Sequence, residues 1–305
     1  SQVGGDILVR RGVGETLNLA VGGEAFRHIL RSNSLGDRGE NRGAIFAEAV
    51  LGGTGPAVGS LGLRQDWHQG FGAFLSPSLS ASLRAGSGFR LRAAAGRSFR
   101  APTWTERYYQ DPVNVGRDDL DAERAWSGEL GVDLASAGAF RLSATAFTRR
   151  AEALIDWARP VGAADDTPWE TRNVEKATFR GVEAEATIQG PLEILWTLGG
   201  GILSVRSEEA GGYSSKYALR PLEEELNAGL SRTFAGGLSA ALNGQRARRK
   251  GQDPYHLVAL RFSYRFSELR IHLDATNLLD ADYPDITGFT APGRGLFLGL
   301  EAEFR

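Results

Sequence analysis

Asn277-Leu278-Leu279-Asp280-Ala281-Asp282-Tyr283-Pro284 and, after a gap, Gly295-Leu296-Phe297-Leu298-Gly299-Leu300-Glu301-Ala302-Glu303-Phe304-Arg305 close the chain. In the second stretch Leu296, Leu298, Leu300, Ala302 and Phe304 share one parity. Gly299, Glu301, Glu303 and Arg305 share the other, with Phe297 the apolar exception. Near-strict period two over roughly ten residues describes a strand with one apolar and one polar face. The segment just upstream repeats the pattern, setting Leu269, Ile271, Leu273 and Ala275 against Arg270, His272 and Asp274.

Composition narrows the setting of such strands. The 305 residues include 40 Gly and no Cys, which excludes a disulfide scaffold and thiolate metal sites and fits an oxidising periplasmic route. A net charge of −2 lacks the basic excess of a general nucleic-acid binder. No apolar run reaches the roughly 18 residues of a transmembrane helix, so a membrane protein of this sequence crosses with strands. No signal peptide is visible at Ser1, and the chain reads as a mature protein or a fragment.

Working back from the end, the alternation predicts fourteen strands, near 15–30, 40–51, 57–68, 74–86, 89–99, 125–135, 139–156, 170–188, 191–207, 218–233, 236–248, 253–266, 268–276 and 293–305. Residues 6–11 give only a weak strand signal. Most of the fourteen supply the roughly 9–11 residues that cross a bilayer at a tilt. Their connections alternate. Short Gly, Ser and Pro turns lie at 52–56, 86–88, 136–138, 190–191, 235–237 and 267–268; longer loops lie at 31–40, 100–123, 158–169, 208–217, 246–253 and 280–292. The connection at 69–73 breaks the rhythm by being short. Tight turns at one end and long loops at the other mark an antiparallel up-and-down transmembrane β-barrel, with turns in the periplasm and loops outside. A Greek-key sandwich has no reason to alternate in this way, and no propeller-length repeat is present.

Face chemistry agrees. Phe89, Leu91, Ala93 and Ala95 oppose Arg90 and Arg92, and Leu130, Val132 and Leu134 oppose Glu129 and Asp133. Val182, Ala184, Ala186 and Ile188 oppose Glu183, Glu185 and Thr187, and Val258, Leu260, Phe262, Tyr264 and Phe266 form a further apolar row. A charge at the lipid midplane costs roughly 2–4 kcal/mol, so the charged rows face a wet lumen. Leu130, Leu198, Leu260, Leu273 and Leu298 are expected to face lipid, and Tyr264, Phe266 and Phe304 to form an interfacial girdle.

Three landmarks, in order, carry a family resemblance. Gly96-Arg97-Ser98-Phe99-Arg100-Ala101-Pro102 leads into Glu106-Arg107-Tyr108, then Gly116-Arg117-Asp118-Asp119-Leu120 and Ala122-Glu123. Asn173 precedes Gly181-Val182-Glu183, and Asn277-Leu278-Leu279-Asp280 precedes Tyr283 and the final strand. The series resembles the barrel of TonB-dependent outer-membrane receptors, closest in tone to the vitamin B12 and siderophore branch. Ala122-Glu123 stands where the family has Pro-Glu, and the turn at 116–120 has drifted. The resemblance implies a 22-stranded barrel around an N-terminal plug pulled by the TonB energy-coupling protein. Residues 1–305 show barrel and no plug, as part of such a barrel or a reduced one, so a TonB partner is implied only where a plug is present. The function implied is uptake across the bacterial outer membrane of a scarce metal chelate or cobalamin-like ligand, without enzymatic chemistry or cofactor. The alternatives are a plugless diffusion channel and a structural barrel subunit of an envelope complex.

Site residues follow from exposure at the mouth. Trp104, Tyr108, Tyr109, Trp169 and Tyr213 lie in or beside the long loops, where amphipathic rings suit a large, partly apolar ligand. His68, in Asp66-Trp67-His68-Gln69 near a strand top, joins them. Trp157 and Tyr217 read as girdle residues. The four histidines are scattered and no nucleophile spacing is present. The acids at 207–210 and Asp165-Asp166 read as solvated loop rather than a metal site. Outer-membrane lipid and lipopolysaccharide are the expected surroundings; the basic loop of Arg246, Arg248, Arg249 and Lys250 reads equally as a contact to lipopolysaccharide phosphates and as a plain solvated loop, and no nucleic acid is expected.

Overall fold

The computed structural model describes residues 1–136, 138–207, 212–284 and 289–302. It is almost wholly antiparallel sheet: β1 (Gln2–Val13), β2 (Leu17–Leu30), β3 (Arg38–Leu51), β4 (Ala57–His68), β5 (Gly72–Ala85), β6 (Phe89–Arg100), α1 (Trp104–Tyr108), β7 (Asn114–Val115), β8 (Glu123–Ser136), β9 (Phe140–Pro160), β10 (Trp169–Gln189), β11 (Leu195–Ser207), β12 (Tyr213–Ser215), β13 (Leu222–Thr233), β14 (Leu238–Arg249), β15 (Tyr255–Phe266), β16 (Leu269–Thr276) and β17 (Gly295–Ala302). No helix among the described residues is long and apolar enough to cross a membrane.

Fourteen of the expected strands are present, and β1 precedes them. Its Val3, Ile7, Val9 and Val13 share a face, but Gly5 and Arg11 interrupt the row and Leu8 falls on the other side, which is why alternation alone gives only a weak signal there. Among the described residues there are thus fifteen long strands, besides the short β7 and β12. β2 pairs on both sides, Leu19 with Arg11 of β1 and with Ala49 of β3.

The described residues form two compact units. The first spans 1–131, 147–180 and 205–219. Its hairpins β1 to β6 pair in continuous register, and their apolar rows stay exposed: Ile7 69%, Val21 59%, Ile45 57% and Leu61 54%. Such rows are untenable in water and natural against lipid. The short β4–β5 turn works because Gly70 and Gly72 take positive φ (87° and 85°), where a side chain would be strained. Beyond the strand-crossing portion β9 pairs with both β10 and β12, and β10 pairs in parallel with β7. This small sheet covers a core of Ala125, Ala151, Leu154 and Ala177.

The second unit spans 132–146, 181–204 and 220–305. Its β13 to β17 form an antiparallel meander. Leu298 is 78% exposed, and Leu198 and Leu273 are exposed beside it in kind, as expected for lipid contact, while Leu260 is half-buried. Tyr264 and Phe266 are exposed near a strand end. The opposite face is polar: Arg261 chelates Asp274 across β15 and β16, and Glu225 accepts from Asn227 and Gln245, both at 2.8 Å. Phe304 and the acids 208–209 lie outside the described residues.

Candidate functional site at the loop end

The 101–122 connection of the first unit is bolted down by the residues that carry the family resemblance. Pro102 and Thr103 start α1 with a capping box, in which Thr103 Oγ accepts the Glu106 N–H and Glu106 accepts the Thr103 N–H at 2.7 Å. Arg100, the last residue of β6, donates to Glu106 at 2.8 and 3.0 Å and to Glu123 at 2.7 and 3.0 Å. Glu123, 5% exposed, also accepts the Ile155 N–H at 2.6 Å. Burial pushes the Glu106 carboxyl up, but the bonds from Arg100 and Thr103 outweigh it and hold it below the ordinary range.

Two further bolts reach β10. Thr171, fully buried, donates to the Glu106 carbonyl at 2.7 Å and accepts the Arg117 N–H at 2.8 Å. Asn173 accepts the Asp121 N–H at 2.8 Å and donates to the carbonyls of Asp121 and Ala153. Ala153 has φ 52°, and Asn173 ties down the carbonyl of this strained residue.

On this frame stand two clusters of rings and cations. In the first, His68 meets Phe71 edge-on at 5.0 Å, Arg107 lies over Phe71 at 5.0 Å and over Tyr108 at 4.7 Å, and Arg38 lies over Tyr108 at 3.8 Å. Arg38, Arg107, Tyr108 and Arg117 line an open cavity of about 630 Å³. The Arg107 Nε is buried without a hydrogen-bond partner, whereas Arg117 is taken up by Asp119 at 2.6 Å. In the second cluster Arg159 lies over Trp169 at 4.6 Å, Lys216 over Trp169 at 5.6 Å and Tyr217 at 5.5 Å, and Arg172 over Tyr213 at 4.3 Å. Lys216 also donates to Asn114 at 2.8 Å. Such contacts contribute about 0.5–2 kcal/mol each; Arg172 also donates to Glu170 at 3.2 Å, and Arg38 to the Leu35 carbonyl at 2.9 Å.

The strip carrying Tyr213, Lys216 and Tyr217 is held by Asp156. This carboxylate, 4% exposed, accepts the Ser215 hydroxyl and the N–H groups of Ala218 at 3.0 Å and Trp157 at 2.8 Å. Burial raises its pKa, and these hydrogen bonds pull only partly the other way.

The structure therefore joins His68 with Tyr108, and sets Trp169 and Tyr213 on one small sheet. His68 is 6% exposed, bonded to the Gln69 carbonyl at 2.9 Å and 3.5 Å from Glu40, so its position is inside the stack rather than at an open surface. Trp104 is half-buried at the start of α1, and Tyr109 donates its hydroxyl to Asp111 at 2.9 Å; neither joins a cluster. Sequence reading weighed rings alone and missed Arg38, Arg107, Arg159, Arg172 and Lys216. Arg107 beside Tyr108 and Lys216 beside Tyr217 are the local signals; the other pairings need the fold. Groups of metal-ligating type sufficient for an ion are absent among the described residues.

Residues 8–278 match the family model described as TonB dependent receptor-like, beta-barrel. The chain is similar to the ferric enterobactin receptor PirA of Pseudomonas aeruginosa, at 25% identity over 80% of this chain and 38% of that protein. It is similar to the vitamin B12 transporter BtuB of Vibrio vulnificus, at 24% identity over 72% of this chain and 35% of that protein. The crystal structure of PirA from Pseudomonas aeruginosa superposes with a TM-score of 0.78 at 23% identity, covering 100% of this chain and 55% of that one. The chain thus spans well under two thirds of the length of these relatives.

Proposed function

Because the chain belongs to the TonB-dependent receptor-like β-barrel family, we propose that its 305 residues form barrel wall of an outer-membrane receptor that takes up a scarce metal chelate or a cobalamin-like ligand. The observation that carries the reading is the paired clusters at the loop end, where Tyr108, Trp169 and Tyr213 each lie under a cation. Rings give a large chelate apolar area, and guanidinium groups meet its oxygens. Tyr108, Trp169 and Tyr213 contact ligand directly; Trp104 and Tyr109 flank it, and His68 supports the first cluster from below. The chemistry is binding and gating, with no bond made or broken. Where a plug domain accompanies the barrel, TonB supplies the energy.

Cells expressing the complete receptor provide the test. Under iron limitation, uptake of a labelled ferric chelate or of labelled cyanocobalamin is expected, and is expected to fall in Tyr108→Ala and Trp169→Ala variants that reach the outer membrane in normal amount. Uptake of both compounds equal to that of receptor-deleted cells would refute the reading.

A further inference from the structure

Phe297 breaks the parity of β17. It lies on the polar face, opposite Asp274 of β16, and is 60% exposed. Leu296, Leu298 and Leu300 take the lipid-facing side, so lipid does not account for this ring. The ring lines a cavity of about 930 Å³ in the second unit, together with Thr197 of β11, Asn227 of β13, Asn243 and Gln245 of β14, and Tyr283. Small-molecule sites have this order of size.

The register puts the four polar side chains on one face, with Thr197 opposite Gly229, Gly229 opposite Asn243, and Asn227 opposite Gln245. A side chain at Gly229 would collide with the Thr197 hydroxyl and the Asn243 amide oxygen, so glycine lets these groups converge across three strands. The connection after β16 folds back to bring Tyr283 to the same place. Asn277 accepts the Ala281 N–H at 2.9 Å and donates to the carbonyls of Ala281 at 3.0 Å and Pro292 at 3.4 Å. Tyr283 then stacks on Tyr255 at 4.5 Å, two residues from Leu257, which lies opposite Gln245.

Glu225 decides how the amides stand. It accepts one N–H from Asn227 and one from Gln245, so each amide keeps a carbonyl oxygen and a second N–H for a ligand. Adjacent hydroxyl groups, which donate and accept at once, satisfy such a pair. The exposed ring of Phe297 takes the C–H face of a sugar beside them. Charge selects against an anion. Glu225 lies directly behind the amides, and Arg294, the one cation lining the cavity among the described residues, faces Asp280 at 3.6 Å.

We infer that Asn227, Asn243, Gln245 and Phe297 form a binding site for a short, uncharged oligosaccharide on the polar inner wall of the barrel. The site goes beyond the uptake of a chelate or cobalamin-like ligand. It rests only on the reading that this polar face lines the interior.

The test uses the complete receptor, purified in lauryldimethylamine oxide, whose headgroup is not a sugar. Calorimetry follows titration with maltotriose, cellotriose, chitotriose in its N-acetylated form, and trigalacturonate. At least one neutral trisaccharide is expected to bind saturably and at least about tenfold tighter than the anionic trigalacturonate. Phe297→Ala and Asn243→Ala/Gln245→Ala are each expected to weaken that binding about tenfold or more, and Phe297→Trp to keep it. No saturable binding of any neutral trisaccharide would overturn the site, including where another part of the receptor occupies the wall. Equal binding of trigalacturonate would overturn it too, as would unchanged affinity in both alanine variants. If these variants do not fold, the wild-type comparison of neutral and anionic trisaccharides alone decides. A receptor that takes up the ferric chelate or cyanocobalamin but binds no trisaccharide contradicts this site alone; one that binds a trisaccharide and takes up neither contradicts only the uptake reading.

Discussion

Glu123 sits between Arg100 and the backbone of Ile155, receiving two bonds from the guanidinium and one from the Ile155 N–H. The end of β6, the start of β8 and the far part of β9 are thereby joined through one buried carboxylate. Arg100→Ala removes the cation and leaves Glu123 charged, 5% exposed and under-partnered. The expected cost is roughly 2–3 kcal/mol, reduced from that of a fully buried pair because the Arg100 side chain is 40% exposed. Limited proteolysis should then cut within 101–122 at protease levels that spare the wild type. An unchanged digestion pattern would show that the connection is held by other means.

Asp156 gives a pH dependence. Its folded pKa is raised above the ordinary 3.8 by burial, so between these two values the folded state binds more protons than the unfolded one. Stability contributed by this group is therefore present at low pH and lost as pH rises through the folded pKa. Asp156→Asn should flatten that part of the profile while keeping most of the hydrogen-bonding shape. Hydrogen exchange of the Lys216–Leu219 amides across a pH series, corrected for intrinsic exchange, reads the effect; protection that grows with rising pH would contradict the sign.

The lipid-facing assignment is checked at Leu130, 67% exposed and six residues from the end of β8. Leu130→Arg there should weaken folding into bilayers by about 2–4 kcal/mol, the cost of a cation near the midplane. Full tolerance in a liposome-folding assay would remove the topology.

Surface display needs an insertion point, and the structure moves it. Asn114 lies within the long 100–123 loop read from the sequence, but it pairs with Trp169 and accepts from Lys216, so a tag there would break the second cluster. The Asp165 side chain is fully exposed in the β9–β10 loop. An epitope between Asp165 and Asp166 should stain intact cells. Staining that appears only after permeabilisation would place the long loops on the wrong side.

How much of this was legible follows from range. Period two is local, so the long strands from β2 to β17 are legible wherever one face stays apolar, as in Leu296, Leu298 and Leu300. β1 blurred because Gly5, Leu8 and Arg11 disturb its parity. β7 and β12, two and three residues long, have no period to read and exist only through pairing with β10 and β9. The landmarks Arg100, Glu106, Glu123 and Asn173 stood out as motif, yet their physical role as bolts appears only in the fold. The rings of the site were visible by type; the cations over them, such as Arg172 over Tyr213, come from distant positions.

Saturable binding at the loop end is the most direct test of the central claim. Outer membranes carrying the complete receptor should be titrated with a labelled ferric tris-catecholate and with labelled cyanocobalamin, in wild type and in Arg38→Gln/Arg107→Gln. The account predicts saturable wild-type binding of at least one compound, weakened about tenfold or more when both guanidinium groups over Tyr108 are removed. Saturable binding that is identical in wild type and the double variant, with Tyr108→Ala and Trp169→Ala also without effect, would contradict it.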